Sequence, residues 1–212
     1  MISKTIFSQL AVIIFFYGHS AFAYNSIINT GNVTESGTYK LGSELQVLTD
    51  KPSGANVLIF IDLPTKSQSV DYRLKVGTGA TDINLGVAAK WMPIPDLQNQ
   101  PALGFIFDFD WISDQVGNAD FDYTTLRMSP LISKSFKWEY GVMTPYAAVP
   151  LGLRYLLDDA GANQDEFDFF VQLTFGAELN FEAYENLTFF GEAGFDIEEA
   201  ITYFSLAARY KM

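Results

Sequence analysis

Strict alternation of apolar with polar or small side chains limits the fold of this 212-residue chain more than any other feature. In the clearest stretch, from Phe167 to Phe181, every second residue is apolar and most residues between them are polar or small. A repeat of two residues indicates a β-strand, because successive side chains of a strand point to opposite faces. No stretch after residue 23 keeps the repeat of a helix. The sequence therefore predicts an all-β fold.

The predicted strands are longer than those of soluble sheets, which have about five or six residues. Strands of about 9–11 residues with one apolar face are typical of a transmembrane barrel. A soluble β-sandwich also alternates, but with shorter strands and a less aromatic apolar face. We therefore predict an antiparallel transmembrane β-barrel of about ten strands, or eight if the first hairpin or one short element lies outside it. The predicted strands are 38–48, 55–65, 70–77, 81–92, 101–111, 121–134, 144–156, 167–181, 187–197 and 201–212.

Residues 1–23 have the pattern of a cleaved export signal. Lys4 precedes an apolar run over 6–17, and a small-x-small cleavage site ends at Ala23. The apolar run is shorter than the ~20 residues that a membrane-spanning helix needs. We expect a Sec-type signal peptide at 1–23, a flexible periplasmic lead-in at 24–37 and the barrel at 38–212.

The residue types that most often carry catalysis are missing from the expected mature chain. The chain has no cysteine, and its single histidine, His19, lies in the predicted signal peptide. Ser–His and Cys–His mechanisms are therefore closed, and no cysteine can hold a metal. We expect no enzymatic activity, no cofactor and no metal. The acidic segment 158–166 is interpreted as a solvated loop, with calcium capture as the alternative.

The expected mature chain is strongly acidic. Its 12 basic and 25 acidic residues give a net charge of −13, which opposes binding to nucleic acid.

The parity of the predicted strands places charged side chains inside the barrel. Six bases face seven acids there, and charges in a narrow, poorly hydrated space must be paired. The sequence therefore predicts a lumen that is filled by side chains and by ion pairs, in a protein that contributes to envelope integrity or surface interaction. The alternative is a narrow channel for ions or small solutes that these charges gate. The predicted network comprises Asp71, Arg73, Lys75, Lys90, Asp108, Asp110, Arg127, Arg154, Glu178, Glu192 and Arg209.

Aromatic residues fall near both predicted water boundaries, as the girdles of a membrane barrel require. The predicted girdle residues are Trp111, Tyr123, Tyr155 and Phe167 at the outer boundary and Trp91, Phe181 and Tyr210 at the inner one.

Two features predict local irregularity in the strands. Phe121 and Tyr123 are out of phase with Leu126, which predicts a bulge near Thr124-Thr125 or a loop that ends early. Pro130 and Pro150 lie within predicted strands, although proline cannot donate a ladder hydrogen bond.

The run Thr-Pro-Tyr-Ala-Ala-Val-Pro-Leu-Gly-Leu-Arg-Tyr, residues 144–155, resembles the Pro-Tyr…Gly-x-Gly-x-x-Tyr strand of small OmpA-like outer-membrane barrels. Residues 167–181 and 187–195 look like the next hairpin of that superfamily, although Pro150 stands where the family often has glycine. The resemblance implies a bacterial outer-membrane location and carries over no catalytic residue. We further expect contact with outer-membrane lipids and lipopolysaccharide, insertion by the barrel-assembly machinery, and a monomer.

Overall fold

The computed structural model describes residues 26–49, 53–97, 100–116, 119–158 and 167–212. For residues 114–116, 119–121 and 156–158 it describes the backbone alone. The predicted signal peptide and most of the acidic segment 158–166 lie outside the described residues.

The described chain consists almost entirely of β-strands. The strands are β1 (Lys40–Leu48), β2 (Gly54–Pro64), β3 (Val70–Gly79), β4 (Ile83–Ile94), β5 (Ala102–Val116), β6 (Ala119–Ser133), β7 (Phe136–Trp138), β8 (Gly141–Ala148), β9 (Leu151–Asp158), β10 (Phe167–Phe181), β11 (Leu187–Glu198) and β12 (Tyr203–Lys211). One turn of 3-10 helix, Glu182–Tyr184, joins β10 to β11. No helix in the described ranges is long and apolar enough to cross a membrane.

The sheet closes on itself into a ten-stranded antiparallel barrel. β1 pairs with both β2 and β12, and the chain of neighbours runs from there through β6, β10 and β11 back to β12. β8 and β9 follow one another in the same wall position between β6 and β10. The short β7 pairs only with β8 and extends the hairpin that leads into it. We call the end where β1 begins and β12 ends the inner end of the barrel, and the opposite end the outer end.

The wall is interrupted at Pro130 and Pro150, as the sequence predicts. The β6 ladder passes from Met128↔Leu151 to Leu131↔Ala148, so that the register continues unchanged across the gap. The carbonyl groups at the gap are still used. Val149 N donates to Pro130 O at 3.1 Å, and Gln172 N donates to Pro150 O at 3.0 Å.

The predicted bulge near Thr124 is wrong. β5 and β6 pair without a shift from Ala102↔Ser133 to Val116↔Ala119. The alternation of inward and outward side chains continues unbroken along β6. Tyr123 therefore points into the lumen, like Thr125 and Arg127, and is buried there. The same ladder makes β5 and β6 longer than predicted, and it occupies most of the predicted loop 112–120. Register shifts occur instead at Trp91/Ile94 and at Val171/Gln172.

The outer face of the barrel is apolar, and the inner face is largely polar. Outward side chains such as Leu85, Phe109 and Leu206 are 45–66% exposed. Inward charged side chains such as Arg73, Asp108 and Arg127 are at most 4% exposed. A soluble protein has the reverse arrangement, and a continuous apolar exterior needs a lipid environment.

Candidate functional site in the lumen

Buried carboxylates and cations of neighbouring strands are joined in the lumen. On one side, Asp62 of β2 accepts hydrogen bonds from Arg73 of β3, with the Nε–Oδ1 distance at 2.6 Å. Arg209 of β12 approaches the other oxygen of the same carboxylate at 3.1 Å and reaches Glu178 of β10 at 3.5 Å. These contacts join β12 to β2 and to β10 through the interior of the barrel, across the strands that lie between them.

A second cluster of charges lies between β3, β5 and β6. Lys75 Nζ is 3.2 Å from Asp108 and 2.8 Å from Asp110. Arg127 lies 3.3 Å from Asp108 and 3.9 Å from Asp110. Two cations therefore share two carboxylates, and all four side chains are at most 4% exposed. Beside this cluster, Lys90 of β4 pairs with Asp71 of β3 at 3.1 Å.

Nine of the eleven residues of the predicted network lie in these ion pairs. They are Asp71, Arg73, Lys75, Lys90, Asp108, Asp110, Arg127, Glu178 and Arg209. Asp62 takes part as well. The two remaining residues of the prediction are in different environments.

Glu192 is bound by four neutral donors. Tyr146 and Tyr203 donate their hydroxyl groups to it at 2.6 Å, and the backbone N–H groups of Ile27 and Ile28 donate to it at 2.7 Å. A carboxylate offers about four acceptor positions, so these donors satisfy the group.

Arg154 lies apart from the network, near the outer end. Its guanidinium carbon is 5.5 Å from the centre of the Phe170 ring, and its Nε and Nη2 atoms have no hydrogen-bond partner in the described structure.

The segment from Ser26 to Thr34 runs through the lumen. This differs from the expected lead-in in the periplasm. Ile27 and Ile28 are 4% and 0% exposed, and the segment forms no strand of the sheet. Its burial follows from the contacts that the wall offers, since charged side chains satisfy its backbone and apolar side chains cover its isoleucines. The one sequence signal for this location was the adjacent pair Ile27-Ile28, which a solvated tail does not need.

The wall contacts reach most of this segment. Arg73 donates to the carbonyl oxygens of Ile27 and Ile28, and Arg127 donates to that of Ser26. Lys90 donates to the carbonyl oxygen of Asn32. Four wall residues accept hydrogen bonds from the segment: Glu44 from the Ser26 hydroxyl, Glu178 from the Thr30 hydroxyl, Ser133 from the Gly31 N–H and Asp71 from the Thr34 N–H.

Beside Arg154, the outer part of the lumen contains several neutral polar side chains. Buried polar atoms of Gln46, Thr81, Asn84 and Thr125 have no hydrogen-bond partner among the described residues. An apolar cluster lies at the same end and consists of Leu48, Ala80, Ile112, Tyr123, Ile201 and Tyr203.

Six of the seven predicted girdle residues lie on the outer surface of the wall. They are Trp91, Trp111, Tyr155, Phe167, Phe181 and Tyr210. Tyr123 is the exception, because the unbroken phase of β6 turns it into the lumen. Sequence reasoning missed Trp138 and Tyr140, which lie at the inner end and pack edge-on with ring centres 5.3 Å apart. Among the described residues, no group of three or more His, Cys, Asp and Glu side chains is arranged to hold a metal ion.

The closed apolar wall and the filled polar lumen define a β-barrel with the fold of outer-membrane proteins. The solved structures that resemble it agree. The translocator domain of the autotransporter NalP from Neisseria meningitidis aligns with a TM-score of 0.50 at 11% identity, over 84% of this chain and 88% of that one.

Two further solved structures align less closely. The Neisserial surface protein A (NspA) has a TM-score of 0.39 at 13% identity, over 84% of this chain and 97% of that one. Ail, the attachment invasion locus protein of Yersinia pestis, has a TM-score of 0.35 at 13% identity, over 82% and 97%. No protein-family model matches the sequence, and no curated protein sequence matches it. The resemblance to OmpA-like barrels stays a prediction.

Proposed function

We propose that this chain is a non-enzymatic, integral outer-membrane protein whose barrel is closed to solutes. It contributes to the integrity of the envelope or to contacts at the cell surface. One observation carries the proposal: the lumen is lined by ion pairs between nearby strands of the wall and is filled by the segment from Ser26 to Thr34, which contacts distant strands such as β3 and β11.

The exterior of the barrel supports the membrane location. Side chains such as Leu85 and Phe109 would expose a large apolar surface in water, and lipid removes that cost. The predicted signal peptide at 1–23 supplies the export step that this location needs. Outer-membrane lipids and lipopolysaccharide are the proposed surroundings of the monomer.

The ion pairs support a closed lumen. Five buried cations, Arg73, Lys75, Lys90, Arg127 and Arg209, each lie within 4 Å of a buried carboxylate. A pore of bulk water would weaken these pairs, and barrels of about this strand number have interiors that side chains fill.

A planar-bilayer recording on the refolded protein tests the proposal, together with a gel comparing heated and unheated samples. We expect a heat-modifiable band, as a closed barrel gives, and no conductance on the nanosiemens scale. Stable nanosiemens steps from the full-length chain would refute the closed lumen. A band that does not shift on heating would refute the barrel itself.

A narrow channel gated by the lumen charges is the second candidate. The observation in its favour is the outer lumen, where the polar atoms of Asn84 and Thr125 have no protein partner in the described structure and are suited to contact water. Charge reversal at Arg154 or Glu178 discriminates the two functions. A channel predicts changed solute uptake, whereas a closed barrel predicts changed thermal stability alone.

A further inference from the structure

The lumen contacts the segment from Ser26 to Thr34 mainly through its backbone. Eight hydrogen bonds join side chains of the wall to backbone N–H or C=O groups of the segment. Backbone groups are the same in every peptide, so these contacts recognise the path of the backbone. The six wall residues that make them are Asp71, Arg73, Lys90, Arg127, Ser133 and Glu192.

The contacts are densest at Ile27 and Ile28. Their consecutive N–H groups donate to the two oxygens of Glu192, both at 2.7 Å, while Arg73 Nη1 donates to both of their carbonyl oxygens. Two successive N–H groups that converge on one anion form a nest. This arrangement requires Ile28 at a φ of +34°, a strained conformation for a β-branched residue.

Two specificity elements accompany the backbone contacts. The Ile28 side chain is fully buried against Phe60, Phe190 and Ala207. Gly31 has no space for a side chain, because a Cβ atom there would lie 2.4 Å from Ala102 Cβ and 2.6 Å from Ser133 Oγ. The site therefore accepts an apolar residue at one position and only glycine three residues later.

The segment can be separated from the wall without breaking the sheet. Residues 26–34 belong to no strand, and the barrel closes through the β1–β12 ladder from Lys40↔Lys211 to Leu48↔Tyr203. The connection between the segment and β1 passes through Ser36 and Gly37, which are exposed.

We propose that the lumen is a binding site for a peptide that adopts the backbone conformation of residues 26–34. In this chain its own residues 26–34 fill the site, and it takes up the same peptide from solution once the covalent link is cut. This inference rests on the proposed closed lumen and names what closes it.

The test uses the full-length chain with a protease recognition sequence inserted between Ser36 and Gly37. The barrel is refolded with the segment in place and then nicked. The probe is a synthetic peptide of residues 24–36 with a fluorophore at its carboxyl end. We expect saturable binding of this peptide to the nicked barrel, by displacement of the cut segment, and no binding to the uncut barrel. The nicked and washed barrel conducts, and added peptide closes it.

Variants of the peptide and of the barrel distinguish specific binding of the peptide from non-specific adsorption to the polar lumen. The peptide with Gly31→Ala differs by one methyl group, and we expect it to bind at least about tenfold more weakly because the wall leaves no space for that group. In the barrel, Glu192→Gln weakens peptide binding by a similar factor, because an amide offers only one acceptor oxygen to the two N–H groups. Tyr146→Phe weakens it less, since both acceptors of the nest remain.

The outcomes distinguish this proposal from the proposed function. Failure of the peptide to bind a nicked barrel that remains heat-modifiable, or equal binding of the Gly31→Ala peptide, overturns the peptide site and leaves the closed barrel intact. Conductance of the uncut chain overturns the closed lumen whatever the peptide does. The peptide comparison uses a single barrel, so it stands even where the Glu192→Gln variant does not fold.

Discussion

The inner and outer parts of the lumen differ in how their buried polar groups find partners. The inner part contains charged groups, and its five buried cations each lie within 4 Å of a carboxylate. The outer part contains amides and hydroxyls such as those of Asn84 and Thr125, which have no partner among the described residues. A buried unpaired charge costs far more than a buried amide that water can serve. The five cations of the inner part are therefore all paired, whereas the outer part leaves several neutral groups, and two nitrogens of Arg154, without a partner in the described structure.

The largest expected effect comes from breaking the inner network. Arg127→Met leaves Asp108 and Asp110 with Lys75 as their one remaining cation, and we expect the free energy of unfolding to fall by about 3–5 kcal/mol. Denaturant unfolding of the refolded barrel in detergent measures the change.

Thr125→Val is the matched control on the same strand and the same face. Its hydroxyl has no partner in the described structure, so its loss should change stability by less than about 1 kcal/mol in either direction. Similar losses from both variants would remove the distinction between the two parts of the lumen.

A second substitution tests how closely the inner part is packed around the segment. Gly31→Ala in the full chain should lower stability by about 1–3 kcal/mol, because its Cβ atom would overlap Ala102 and Ser133. Gly191→Ala is the control, since the nearest atom to a Cβ atom there, in Leu206, is 3.8 Å away. If both substitutions are neutral in thermal unfolding, the segment does not fill the lumen.

The outer part should tolerate loss of polarity. Asn84→Leu removes an amide whose nitrogen and oxygen both have no partner in the described chain, and we expect stability to stay constant or rise by up to about 1 kcal/mol. The change is measured as a shift in melting temperature. Lys90→Met, on the same strand, is the comparison, because Lys90 pairs with Asp71 and its removal should lower the melting temperature. A loss in Asn84→Leu as large as that in Lys90→Met would contradict the interpretation.

The smallest effect concerns an ion pair outside the lumen, in the turn between β4 and β5. Lys134 and Ser135 donate hydrogen bonds to Asp96, and these contacts outweigh its partial burial, so the pKa of Asp96 lies below its ordinary value of 3.8. The resulting stabilisation is present above that ordinary value and is lost as the pH falls through the lower native pKa.

Unfolding measured from pH 7 down to pH 2 should therefore show the wild type and Asp96→Asn converging at the acid end. At pH 7 the difference should be at most about 1 kcal/mol, as is usual for partly exposed pairs. A stability difference between the two proteins that grows towards low pH would contradict the lowered pKa of Asp96.

Most of the wall could be predicted from the sequence, because apolar and polar side chains alternate along each strand. Parity alone placed Lys75, Asp108 and Arg127 on one face, and the structure joins them in ion pairs. Tyr123 was misplaced because an aromatic residue was taken as evidence of the lipid face, whereas the outer lumen has an apolar cluster of its own.

The location of residues 26–34 could not be predicted from the pattern. This segment has no repeat, and its position depends on side chains such as Arg73 and Glu192, which are distant in sequence and come together only after the barrel closes. Non-periodic contacts of this kind leave no repeat in the sequence, and the pair Ile27-Ile28 does not tell which wall residues surround it. The segment is also the part of the chain on which the proposed occlusion depends.

The length of the β5–β6 hairpin sets the height of the outer rim. Its ladder continues to Val116↔Ala119, whereas β4 ends its pairing with β5 at Ser113. At about 3.3 Å per residue, the three additional residues of β5 raise this corner by about 10 Å measured along the strand. In the part of the rim that the structure describes, β5 therefore rises above β4, and a surface topograph of the embedded protein would show a stiff protrusion at this hairpin.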